Sequence, residues 1–263
     1  MDNLAHGWKI HQQGLHSKAE QAYQRELNDP TAPPQRKALA WCYLGILYYD
    51  LGKYSQSLTA YNTAIQMHPQ FPVALSNRAN TLSALKRIDE AISSCEAAIK
   101  LKPEYSTAWT NLGTIRTNCG QLNAAIECFG KSLSILPNDN EPAHRNLGAA
   151  LTYQGHFQDA LRHTERAIQI NPDCAEAHRN HATLTLLHED FEHGWKEYEW
   201  RIQCKDCKFP EYPFPRYTGG SLSGKSLLLH AEQGLGDSVH FIRYAQLAKN
   251  AGAHVLFHCP PAL

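Results

Sequence analysis

Two groups of residues in this sequence have the types and spacing that chemistry needs. The first is one loop, residues 230–237, reading His230-Ala231-Glu232-Gln233-Gly234-Leu235-Gly236-Asp237. Gly234 and Gly236 let the backbone turn tightly and come close to a substrate. The loop follows a short apolar run, Ser226-Leu227-Leu228-Leu229, that reads as a strand. Asp237 therefore falls near a strand's carboxyl end, where open parallel sheets place ligands. A carboxylate there can take a proton from a hydroxyl, the role of a general base. The competing reading is that Asp237 only caps the following helix, a contribution of about 1 kcal/mol. Glu232 and His230 are weaker candidates, with loop hydrogen bonding as their ordinary explanation, and Gln233 completes the set.

The second group is a row of asparagines: Asn77, Asn111, Asn146 and Asn180. Each is the sixth residue of a helix whose fourth, seventh, eighth and eleventh residues are its core positions. Successive helix residues rotate by about 100°, so the sixth position points away from that core. Asparagine is a mediocre helix former, and propensity does not account for it there. A side-chain amide offers an acceptor and two donors, the complement of a peptide backbone. Four such amides can hold an extended peptide without reading its sequence, at about 0.5–1.5 kcal/mol for each neutral bond. The alternative is a duplicated consensus residue that merely faces solvent. Thr107, Thr110, Thr114, Arg145 and Arg179 neighbour the row and could add selectivity.

Other motifs carry less. The loop glycines do not make a dinucleotide fingerprint. Val239 replaces the third glycine, and Asp237 puts negative charge where a phosphate would bind. Cys204-Lys205-Asp206-Cys207 is half a zinc site without its second pair, completed only if His178 and His181 approach it. The reading here is ordinary linker thiols and no metal. The 15 histidines show no HExxH spacing.

The helices that carry the asparagines recur about every 34 residues, from about residues 38, 72, 106 and 141. The first complete unit has Trp41, Leu44, Gly45 and Tyr48 on one helix, a break at Leu51-Gly52-Lys53, then Ser57, Tyr61 and Ala64, closed by Pro69. The second has Leu75, Ala79, Leu82, Ala91, Ala98 and Pro103. The third has Trp109, Leu112, Gly113, Gly120, Ala125, Phe129 and Pro137. The fourth has Leu147, Gly148, Leu151, Gly155, Ala160, Ala167 and Pro172. Small residues let helices approach and large ones fill the gaps between them. This pattern resembles the tetratricopeptide repeat, which implies antiparallel helix pairs wound into a right-handed superhelix. Residues 1–30 look like a degenerate copy, with Gly7, Ile10, Gly14, Ala19, Tyr23 and Leu27. A divergent pair from about Ala175 ends in a helix from Asp190 to about Gln203, where Trp195, Tyr198 and Trp200 crowd together. Terminal repeats of solenoids are atypical.

The expected division is a repeat superhelix over 1–204, a linker over 205–224, and an α/β segment over 225–263. In the linker Pro210, Pro213 and Pro215 alternate with Phe209, Tyr212, Phe214 and Tyr217, which favours an extended segment packed on a surface. The last segment reads as a strand at residues 226–230, a helix from Asp237 to about Asn250 ended by Gly252, and a strand from Val255 to Cys259. Two parallel strands and one helix cannot cover both sheet faces. The expectation is the front part of a longer protein, or a truncated gene product. The fold class is mainly α, a tetratricopeptide superhelix followed by an incomplete Rossmann-like unit.

Composition narrows the partners. Lys+Arg and Asp+Glu are both 25, so the net charge is zero, against binding driven by phosphate neutralisation of nucleic acid. No apolar run reaches the ~20 residues of a membrane span, and residues 1–14 lack a signal core. Eight scattered cysteines fit a reducing cytoplasm.

Two further resemblances bear on function. The asparagine row resembles the one lining the inner groove of the O-linked N-acetylglucosamine transferase superhelix; this chain departs from it at Tyr43, in the first complete unit. Gly194-Trp195, Tyr198-Glu199-Trp200-Arg201, the loop from His230 to Asp237 and Phe241-Ile242-Arg243-Tyr244 look like bacterial proteins in which such repeats precede a glycosyltransferase-like domain. The Gly236-Asp237 step is similar to the heptosyltransferase group, which implies Asp237 as a base and a nucleotide sugar as donor in a full-length parent. The sugar-nucleotide half is not in this sequence, and no cofactor is expected in the chain itself. The expected role is a module that holds a protein or peptide in the concave groove, with Asn77, Asn111, Asn146 and Asn180 on its backbone. An active glycosyltransferase parent and a self-associating scaffold are the alternatives.

Overall fold

A computed structural model describes residues 3–204, 212–231, 238–239 and 241–258. The chain divides into two compact units, Met1–Arg201 and Ile202–Leu263.

The first unit is a stack of helix pairs. They are α1 (Asn3–Gln12) with α2 (His16–Asn28), α3 (Pro34–Asp50) with α4 (Tyr54–Met67), and α5 (Pro72–Ala84) with α6 (Ile88–Leu101). Then come α7 (Ser106–Asn118) with α8 (Leu122–Ile135), α9 (Glu141–Tyr153) with α10 (Phe157–Ile170), and α11 (Ala175–Leu187) with α12 (Phe191–Tyr198). A 3₁₀ turn over Glu199–Gln203 follows, so the expected helix to Gln203 tightens five residues early. The degenerate copy near the N-terminus is a full helix pair.

What closes most pairs is a missing Cβ opposite a bulkier side chain; in α5–α6 the same positions are Ala79 and Cys95, both fully buried. A Cβ on Gly45 would lie 2.6 Å from the Tyr61 ring, and one on Gly113 would lie 2.6 Å from the Phe129 ring. Gly7 meets Tyr23 and Gly148 meets Thr164 in the same way, both at 2.7 Å. Tyr23, Tyr61 and Phe129 are among the largest fully buried side chains of the described residues. The divergent last pair inverts this arrangement: Gly194, on the second helix, receives Leu186 from the first.

The turn inside each pair needs a left-handed residue. Gly14, Gly52, Gly120 and Gly155 supply it with φ between 70° and 82°. Lys86 and Glu189 adopt it at φ 63° without being glycine.

Each odd-numbered helix touches the next odd-numbered one, from α1 to α11, whereas no two successive even-numbered helices come as close among the described residues. The odd helices therefore form the inner, concave side of the stack. No helix of the described residues is long and apolar enough to cross a membrane.

The second unit contains β1 (Ser226–His230), α13 (Arg243–Asn250) and β2 (His254–His258). The strands pair in parallel, from Ser226 opposite His254 to His230 opposite His258. Gly252, at φ 90°, ends the helix as expected. Ahead of β1, residues 212–225 form neither helix nor strand. Tyr212 of this stretch packs on the sheet, its hydroxyl 2.8 Å from His258 Nδ1. Phe214 does not pack; it is 65% exposed.

Candidate functional site: the inner face of the odd helices

Asn77, Asn111, Asn146 and Asn180 sit on α5, α7, α9 and α11, and all four are half-buried. Two of them turn their N–H groups inward. Asn111 Nδ2 donates to Ser76 Oγ at 2.9 Å and to the Ser76 carbonyl at 3.3 Å. Asn146 Nδ2 donates to Thr114 Oγ1 at 2.9 Å. Each partner lies on the preceding odd helix, so these amides stitch repeat to repeat. With one donor of each directed inward, the amide oxygen and, on Asn146, a second N–H remain to serve a ligand. Asn77 and Asn180 have no side-chain hydrogen bond among the described residues.

Tyr43 interrupts the row for a packing reason. Its ring stacks between Trp8 and Tyr23, at centroid distances of 5.3 and 5.4 Å, and belongs to the closure of the first pair.

The neighbours of the row divide. Thr110 is corrected: it is 6% exposed and its hydroxyl lies 2.7 Å from Ser132 Oγ on α8. The fifth position of a helix whose seventh and eighth residues are core turns toward the pair interface, which removes Thr110 from the groove. Thr114 is half-buried, donates to the Thr110 carbonyl at 2.9 Å and accepts from Asn146. Arg145 is held by Glu141 of its own helix, Nε to Oε1 at 2.8 Å. Arg179 is half-buried and also partnered. Thr107 is exposed.

Charge is distributed unevenly around the helices. The only charged residue of α5 is Arg78, which donates to Ser94 on α6 and Asn62 on α4. The only charged residue of α7 is Arg116, whose ion pair is with Glu96 on α6. Both cations point to the even helices. The inner face of α5 and α7 is therefore neutral, made of amides and hydroxyls.

The loop candidates Asp237, Glu232, Gln233, Gly234 and Gly236 lie outside the described residues, as does Cys207. His230 ends β1, with the Tyr212 ring 5.2 Å away. Tyr212, His230 and His258 thus meet at the carboxyl ends of the two strands. Nothing in the residue pattern marks Tyr212 or His258 as members of this cluster, because the crossover register decides it. His178 is not available to a metal. Its Nδ1 bonds Glu197, its Nε2 donates to the Pro172 carbonyl at 2.7 Å, and its ring stacks on Trp200 at 4.1 Å. Among the described residues no cluster of three or more His, Cys, Asp or Glu has metal-binding geometry.

An inner face of odd helices, an outer face of even ones and a turn glycine in most pairs define a helical-repeat protein. Two models of the tetratricopeptide repeat match, one over residues 38–71 and 72–105 and the other over 104–173. The chain belongs to the tetratricopeptide repeat family. Protein FlbA of Caulobacter vibrioides is 30% identical over 246 residues, 79% of this chain and 41% of FlbA. The Hsp70-Hsp90 organising protein of Plasmodium falciparum is 28% identical over 163 residues, 59% of this chain and 27% of its own length. The chain thus spans less than half the length of these relatives. Among solved structures, the thermophilic protein TTC0263 of Thermus thermophilus superimposes with a TM-score of 0.61 at 17% identity, covering 70% of this chain and 97% of that one. Pseudomonas aeruginosa pilF does so at 0.60 and 21%, covering 74% and 86%. Both likenesses establish the fold.

Proposed function

We propose that the first unit is a protein-binding module that holds an extended, largely uncharged peptide along the inner face of α5 to α11. The observation that carries this reading is the neutral amide row. Asn111 Nδ2 and one N–H of Asn146 are already bonded inside the protein. The outward amide oxygens can accept from the peptide's main-chain N–H groups, at about 0.5–1.5 kcal/mol each. The relative named for organising Hsp70 and Hsp90 is consistent with a role in binding other proteins. Six free thiols among the described residues fit a reducing compartment, the cytoplasm.

The test is to pan a displayed random peptide library on the full chain and measure the enriched peptides against an Asn77→Ala/Asn180→Ala variant. Neither side chain has a hydrogen bond to lose among the described residues. The expected result is binding weakened by roughly two- to tenfold for each lost bond, with little dependence on salt and no loss of stability. Failure to enrich peptides, or equal binding by the variant, overturns the reading; enrichment of acidic peptides with steep salt dependence overturns its neutral character.

A second reading concerns the other unit. Its parallel β1–α13–β2 arrangement, with Tyr212, His230 and His258 at the strands' carboxyl ends, favours the opening of a glycosyltransferase-like domain. A nucleotide sugar would be the donor in a longer parent and Asp237 its base. In such a parent Asp237→Asn should abolish transfer from the donor, and wild-type turnover would remove that assignment.

A further inference from the structure

The outer side of α7 carries a second feature, unrelated to the asparagine row. Between α6 and α8, with α7 as its floor, lies a cleft of about 450 Å³, within the range of small-ligand sites. Its wall is apolar: Ile99, Trp109, Leu112 and Cys128. The Trp109 indole N–H is committed to the Pro103 carbonyl at 2.9 Å, which fixes the ring.

The cleft coincides with a departure from the repeat. The position that is Tyr48, Leu82 and Leu151 in neighbouring units is Arg116 here. Tyr48 lines a smaller cleft of about 290 Å³ at the equivalent place and donates to Glu20 on the preceding even helix at 2.6 Å. Arg116 reaches toward Glu96 on the preceding even helix, but only to 3.7 Å. Its Nε is buried and has no hydrogen-bond partner among the described residues. A guanidinium has five N–H donors in a planar fork suited to a carboxylate. Among the described residues this one has a single long ionic contact. At the rim, Arg116, Lys100 and Lys131 face two carboxylates, Glu96 and Glu127, an imbalance that one negative charge corrects.

We propose that this cleft binds a small organic acid with an apolar body. The body packs on Trp109, Ile99 and Leu112, and the carboxylate takes the guanidinium of Arg116 in place of Glu96. The two rim carboxylates disfavour a dianion, and the wall has no group to satisfy a polar ligand body.

Hydrocinnamate and its neutral amide, which share a shape and differ in charge, are titrated into the full chain by calorimetry. The acid is expected to bind roughly tenfold tighter than the amide. Arg116→Gln should bring the acid down to the amide's level, and Arg116→Lys should retain part of the preference. Glu96 is half-exposed, its side chain at 56%, so Glu96→Gln leaves packing intact; by freeing Arg116 it should tighten the acid and leave the amide unchanged. Equal affinities for acid and amide, no saturable binding of the acid, or an acid affinity unmoved by Glu96→Gln would each overturn the proposal. None of these outcomes depends on whether the inner face binds peptides.

Discussion

Replacing the asparagines one at a time separates what they do for the fold from what they do for a ligand. Every Asn→Ala change on an exposed helix face gains intrinsic helix stability, up to about 0.7 kcal/mol. Against that gain stand the bonds each residue makes. Asn77 makes none among the described residues, so Asn77→Ala should leave the protein unchanged or slightly more stable. Asn146→Ala loses one bond, to Thr114 Oγ1. A neutral bond contributes about 0.5–1.5 kcal/mol, so gain and loss nearly cancel. Asn111→Ala loses two contacts to Ser76, and Ser76 is fully buried. Its hydroxyl is left without a partner, at a cost of about 1–3 kcal/mol, which exceeds the propensity gain. The expected order of stability is Asn77→Ala above Asn146→Ala above Asn111→Ala. Urea unfolding monitored by circular dichroism reads it directly as midpoints at constant slope. If Asn111→Ala is as stable as Asn77→Ala, the inward bonds contribute nothing. The amides would then face the groove with donors as well as acceptors.

Two further outcomes follow from packing and burial. Gly113→Ala places a methyl 2.6 to 2.9 Å from three atoms of the fully buried Phe129 ring, so it should destabilise by about 1–3 kcal/mol, and Phe129→Leu in the same chain should recover part of that loss in urea unfolding. His144 and His163, on α9 and α10, have ring nitrogens 2.9 Å apart, and burial lowers the pKa of both from 6.5, with Asp159 opposing the shift and Arg162 and Arg166 reinforcing it. The unfolded chain then binds more protons in mild acid, so their contribution is full above about pH 6.5 and is lost as pH falls below it. His163→Gln should flatten that part of a stability–pH profile, and an unchanged slope would show that the pair is not its source.

The repeat was legible because its requirements are local and recurrent. Gly45 and Tyr61, or Gly113 and Phe129, lie sixteen residues apart in each unit, and the same steric complement recurs with its period. Terminal departures were harder to read. The helix expected to reach Gln203 gives way to a 3₁₀ turn at Glu199, and β2 begins at His254 rather than Val255. The groove was legible in part. Helical rotation put the asparagines on the inner face, but only the neighbouring helix decides that Asn111 bonds Ser76. Thr110 was misplaced because one position of rotation separates a groove residue from one facing α8. The turn residue Lys86 carried no signal, since a left-handed lysine is indistinguishable in sequence from any other lysine.

Within α7 the three roles of a repeat helix are distinct. Leu112 and Gly113 satisfy the fold, and any member of the family needs something like them. Asn111 and Thr114 satisfy adjacent odd helices, and their remaining acceptors give the inner face its neutral character. Arg116 satisfies neither requirement: it stands where adjacent units carry Tyr48, Leu82 and Leu151, lines a cleft larger than the one beside Tyr48, and retains unused donors beside it. A repeat is an internal control, because each unit shows what the fold alone demands at that position. Residues that match the other units are explained by the fold. Tyr43 departs and is accounted for by its stack with Trp8 and Tyr23. Arg116 departs without any such compensation in packing, and a bound ligand is the compensation its geometry fits.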